Sequence, residues 1–68
     1  MNKIFVERMQ ELRAEKNISQ AALAKELGVA RAAISFWENG VNEPKLCYLI
    51  AIAKYFGVTI DYLAGLED

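Results

Sequence analysis

The feature that most limits what this chain can fold into is its punctuation. Asn17, Gly28, Gly40, Gly57 and Gly65 each follow a segment whose apolar residues recur at helical spacing. Residues that tolerate a left-handed backbone are the ones that close helices. No segment alternates strictly between apolar and polar residues, so strands are not expected. The sole proline, Pro44, falls in the longest candidate loop. The expected fold is all-α, a succession of short helices.

Five helices are expected. Helix 1 runs from about Lys3 to Lys16, with Phe5, Met9 and Leu12 on one face. Helix 2 runs from Gln20 to Leu27 behind Ser19, a residue type that caps helix starts, with Leu23, Ala24 and Leu27 inward. Helix 3 runs from about Arg31 to Asn39, anchored by Ile34 and Trp37. Helix 4 runs from about Lys45 to Phe56, and Leu46, Leu49, Ile50, Ala53 and Phe56 are its expected core stripe. Helix 5 is short, Ile60 to Ala64, capped by Thr59.

At 68 residues the chain has room for one domain, expected over 1–68. A domain of this size buries only about 60% of its unfolded surface. The composition, 54% apolar and 25% charged, excludes a disordered segment. No apolar run approaches the roughly 20 residues that span a bilayer, so no membrane association is expected. The start at Met1 breaks into charge at once, against a signal peptide, and fits an entire short chain. A single cysteine, Cys47, cannot form an internal disulfide, which fits a reducing cytoplasm. Without histidine, a Cys/His cluster, a phosphate-cradling loop or a nucleophile–base pair, the sequence shows no enzyme, metal, cofactor or small-molecule ligand. Glu7, Glu11 and Glu15 read as helix-surface charges able to pair with Lys3, Arg8 and Lys16.

The segment from Ser19 to Glu38 carries the functional signal. Ala24 is small where two helices cross closely, and Gly28 lets the chain turn with positive φ. Val29 plugs the corner, while Ile34 and Trp37 face back onto helix 2. Two helices joined by such a turn present the outer face of the second to a DNA major groove. With these residues in this order, the chain resembles the lambda-repressor/Cro-like (XRE) helix-turn-helix family over nearly its whole length. The likeness extends through Arg13, Trp37-Glu38-Asn39-Gly40, Pro44, Leu49, Ala53, Phe56-Gly57-Val58 and Asp61-Tyr62-Leu63.

The resemblance implies a five-helix domain that binds double-stranded DNA as a sequence-specific transcriptional regulator, a repressor first of all. It implies that Gln20, at the start of helix 2, holds a phosphate, as the exposed N–H groups there favour. Base contacts fall to Arg31, Ala32, Ser35 and Phe36 of helix 3. Arg31 can take two acceptors on one guanine or clamp a phosphate. Phe36 departs from the family pattern; it can touch a thymine methyl or pack on a partner protein. Asn39, Asn42 and Lys45 match a segment lying along the phosphate backbone. Arg13 and Glu38 are implied to be a structural ion pair between helices 1 and 3.

Three features bear on partners. Ala30 stands where relatives carry a capping Ser or Thr, and Ala32 and Ala33 replace polar residues. The formal net charge is −1, so DNA affinity must come from a local patch. Helix 4 is apolar nearly all round, and a helix of that kind usually needs burial. A homodimer is expected through its outer side, with Tyr48, Tyr55, Ile60 and Tyr62 as candidates; exposed tyrosines with no partner are the alternative. The competing functional reading is a protein-interaction or antitoxin-like module that keeps the fold with weak DNA binding.

Overall fold

The computed structural model describes residues 3–67. Met1, Asn2 and Asp68, the ends of the expected 1–68 domain, lie outside the described residues. Five α-helices follow one another: α1 (Lys3–Glu15), α2 (Gln20–Leu27), α3 (Arg31–Glu38), α4 (Leu46–Phe56) and α5 (Ile60–Ala64). Each expected helix is present. Three ends differ by one residue: Lys16 follows α1, Asn39 caps the end of α3, and Lys45 is the N-cap of α4. Frayed termini account for shifts of this size.

Caps explain the boundaries. Ser19 sits extended before α2 and its hydroxyl accepts from the Ala22 amide at 3.1 Å; Thr59 does the same for Tyr62 at 3.0 Å. Gly28 closes α2 at φ 72°, where its amide reaches the carbonyls of the last turn. The chain then turns within Val29 and Ala30, and Val29 donates to the Ala24 carbonyl at 3.0 Å. This short corner sets α3 against α2.

The core joins α1, α2, α3, α4 and α5 through Phe5, Met9, Leu12, Leu23, Ala24, Ile34, Trp37, Ile52, Ala53 and Leu63. Met9, Leu23, Ile34, Ile52 and Leu63 are completely enclosed. Burying each such side chain contributes about 1.5–3 kcal/mol. Leu27 and Val29 pack against this core half-buried.

Helix α4 is rotated relative to the expected stripe. Of that stripe only Ala53 is buried; Leu49 and Phe56 are half-buried, while Leu46 is 65% and Ile50 38% exposed. The inward line instead runs Tyr48, Ile52, Tyr55 beside Leu49, Ala53, Phe56. Tyr48 lies against Trp37 with ring centroids 5.8 Å apart, and Tyr55 meets Phe56 edge-on at 5.0 Å. A helix apolar on every side offers no periodic signal of its phase, so its neighbours choose it. The expected dimer candidates pack toward the core as well. Tyr48, Tyr55, Ile60 and Tyr62 are half-buried on the chain's own core, and the open apolar side of α4 carries Leu46, Cys47 and Ile50.

Two cations expected to pair with the α1 carboxylates turn elsewhere. Arg8 lies 4.1 Å over the Tyr62 ring and donates to the carbonyls of Tyr62 and Glu67; Lys16 lies 4.3 Å over the Tyr55 ring. A guanidinium stacked on a ring and hydrogen-bonded to backbone carbonyls gains more than an exposed pair in water.

Candidate nucleic-acid interface

Helix α3 turns Ile34 and Trp37 inward, and this leaves Arg31, Ala32 and Phe36 exposed on its outer side. Phe36 is 46% exposed. Ser35 is half-buried, and its hydroxyl accepts from the Asn39 amide nitrogen at 3.2 Å. Asn39 is thus tied back to α3. Beyond it the chain turns at Gly40, and Val41 donates to the Phe36 carbonyl at 2.9 Å. Asn42 and Lys45 stand exposed in the segment that follows, before α4. Ala30, as expected, gives α3 no side-chain cap.

The start of α2 meets the start of α3 through side chains. Arg31 Nη1 donates to Gln20 Oε1 at 3.1 Å, and Gln20 Nε2 donates to Glu38 Oε1 at 3.1 Å. Glu38 is 3% exposed and pairs in a fork with Arg13: Nε to Oε2 at 2.8 Å and Nη2 to Oε1 at 3.0 Å. The third Arg13 donor, Nη1, reaches the Ile18 carbonyl at 3.1 Å. Hydrogen bonding to Glu38 raises the Arg13 pKa above its ordinary value; burial opposes this and the opposite charge adds to it. The expected ion pair between α1 and α3 is therefore present and buried on its acidic side. The residue missed from sequence is Gln10, whose amide donates to the Glu38 carbonyl at 2.8 Å. No periodicity marks a polar residue that serves a single backbone carbonyl.

Chemically, these residues offer a planar cation, exposed apolar side chains, a helix N-terminus and exposed amide and ammonium donors. Among the described residues no group of His, Cys, Asp or Glu is assembled to hold a metal.

Comparison with known proteins agrees with the geometry. The family profile described as helix-turn-helix matches residues 9–63. The chain belongs to the helix-turn-helix family of lambda-repressor-like (XRE) type. A relative in this family, the HTH-type transcriptional activator BcrR of Enterococcus faecalis, is 47% identical over 94% of this chain. The chain spans only 31% of that relative's length. An uncharacterised HTH-type regulator of Methanocaldococcus jannaschii is 41% identical across 90% of this chain and 92% of its own length. Among solved structures, the P22 c2 repressor in complex with a synthetic operator superposes with a TM-score of 0.83 at 41% identity. That match covers 87% of this chain and 89% of the repressor chain.

Proposed function

We propose that this chain is a double-stranded-DNA-binding transcriptional regulator that reads a specific sequence through the outer face of α3. The observation that carries the reading is the pairing of two features. The exposed face of α3 bears Arg31, Ala32 and Phe36, and the chain is similar to a repressor whose structure was determined on its operator. Gln20 and the α2 N-terminus take a phosphate; Arg31, Ala32, Ser35 and Phe36 face bases; Asn39, Asn42 and Lys45 follow the backbone. The domain comprises residues 1–68, works in the cytoplasm, and binds without catalysing a reaction. No helix among the described residues is long and apolar enough to cross a membrane.

Selection of bound duplexes from a random pool tests this reading, followed by anisotropy titration at low salt. A defined sequence should emerge, and Arg31→Ala combined with Gln20→Ala should abolish preference for it. Binding that ignores both substitutions overturns the reading in favour of a protein-interaction module. Repression is the expected sign, in line with the P22 protein; transcription from a template carrying the selected site distinguishes it from activation, the sign in BcrR's name.

The regulator acts as a homodimer. Leu46, Cys47 and Ile50 form an open apolar side on α4, and a second copy is the occupant that a palindromic site would bring there. Two-fold pairing sets the recognition helices one DNA turn apart, about 34 Å. Sedimentation alone and with the selected duplex tests this: one protein per duplex, and a monomer at high micromolar concentration, rule the dimer out.

A further inference from the structure

Helix α1 carries a second stripe beside its core face. Lys3, Val6, Gln10 and Arg13 recur at spacings of three and four, so they share one side of the helix. That side follows the end of α3. Arg13 holds the Glu38 carboxylate and Gln10 holds the Glu38 carbonyl. One turn further back, Val6 and Lys3 line a groove whose opposite wall is Glu38, Asn39 and Gly40. Over about 15 Å of helix the stripe therefore runs from the ion pair to the place where the chain leaves α3. It ends on an exposed ammonium, Lys3.

The charges around this groove are unequal in their commitments. Arg8 and Lys16 lie over tyrosine rings, Arg13 pairs with Glu38, and Arg31 donates to Gln20. Lys3 has no such partner among the described residues, and Glu7, one turn on, forms no ion pair with it. On the other wall the Glu38 charge is compensated by the Arg13 fork. Asn39 gives one proton of its side-chain nitrogen to Ser35 Oγ and keeps the second. Gly40, at φ 73°, adds no side chain to close the groove. An uncommitted ammonium on one wall, an amide proton on the other and a neutralised carboxylate between them suit an oxyanion. We propose that this groove is a phosphate site, with Lys3 as its cation and Asn39 as its second donor. The inference rests on the DNA-binding reading above and extends it to α1, an element that reading leaves out. Asn39 and Gly40 begin the segment assigned there to the DNA backbone, so the phosphate is one of the duplex. A lysine serves such a group as a point charge, which adds affinity and salt dependence but no sequence preference.

The test compares Lys3→Ala and Lys3→Arg with Lys54→Ala, which removes another exposed lysine, on α4. Anisotropy titrations of the selected duplex run across a range of salt. Lys3→Ala should flatten the slope of log K against log salt by about 0.9 per monomer and weaken every duplex alike. Lys3→Arg should keep the wild-type slope, and so should Lys54→Ala. An unchanged slope in Lys3→Ala overturns the site. Equal flattening by Lys54→Ala also overturns it, because the effect is then one of net charge. A second set of duplexes replaces one phosphate at a time by a neutral methylphosphonate. One replacement that weakens the wild type and Lys54→Ala should have no effect on Lys3→Ala, since the two changes remove the same contact. If every phosphate keeps its effect in Lys3→Ala, the inference falls while the DNA reading stands. Inorganic phosphate supplies the arm without DNA. If the protein selects no duplex, the DNA reading fails, and the groove is judged by nitrogen-15 spectra alone. Phosphate should then shift the Gly40 amide and the Asn39 side-chain amide in the wild type and not in Lys3→Ala. Signals that stay in place, or move equally in both proteins, overturn the site for phosphate of either source.

Discussion

At the scale of single residues, Glu38 shows how a buried charge is tolerated. Its two oxygens receive donors from Arg13 and Gln20, so the desolvated carboxylate is satisfied. Truncation to alanine leaves the Arg13 guanidinium in a partly closed site with no counter-charge. Losing one member of a buried pair costs about 3–5 kcal/mol. Because the Arg13 side chain keeps 25% exposure, Glu38→Ala should fall near the low end, about 3 kcal/mol. Urea titration reads this as a lower midpoint with an unchanged slope. Glycines separate two effects in the same way. At Gly28 a Cβ would meet nothing within 4 Å, so Gly28→Ala pays only for a left-handed alanine, about 1 kcal/mol. At Gly65, also left-handed, the Cβ would come within 2.9 Å of Ile4 Cδ1 and 3.2 Å of its Cβ. Gly65→Ala should therefore be the more destabilising of the two; equal midpoints would mean that Ile4 moves aside freely.

At the scale of elements, α3 is the helix with a correctable fault. Its N-cap Ala30 is extended, at φ −71° and ψ 148°, the backbone that a capping serine adopts, yet it supplies no acceptor. Ala30→Ser should stabilise the fold by about 1 kcal/mol. In a domain of this size that raises the melting temperature by about 4–8 °C, readable by circular dichroism. No gain would mean that water already satisfies the first amides of α3. The elements also show where a sequence speaks and where it is silent. Ser19, Gly28, Thr59 and Gly65 mark helix ends by local chemistry, and the boundaries of α2 and α5 follow from them without tertiary knowledge. The rotation of α4 does not. Leu46 and Ile50 fit an inward stripe as well as Tyr48 and Ile52 do by spacing alone. The Trp37 ring and the enclosure of Ile52 are tertiary facts that settle it. Site residue types were legible for a similar reason: Arg31, Phe36 and Glu38 follow from position within the motif. The bond from Glu38 to Gln20 was not, because it joins residues 18 apart through side-chain rotamers.

At the scale of the whole molecule, charge is the decisive quantity. Eight Lys and Arg face nine Asp and Glu, so no long-range field draws the chain to a polyanion. On the reading proposed above, affinity arises where donors are concentrated, at Gln20, Arg31, Asn42 and Lys45, while the like charge of Glu43 in the same loop opposes it. Counterion release makes this measurable. Each neutralised phosphate contributes about −0.9 to the slope of log K against log salt, so three to four phosphates per monomer give about −3. A dimer spanning two half-sites doubles this to about −6 on the same principle. Titrating the selected duplex from low to physiological salt therefore counts phosphates and protomers together. Lys45→Ala should flatten the slope by about one per monomer and weaken every sequence alike. Arg31→Ala should instead remove preference at one base pair. A slope near zero, with binding retained, would mean that the apolar strip of Ala32 and Phe36 engages its partner without phosphate contact. Such a surface is built for a protein.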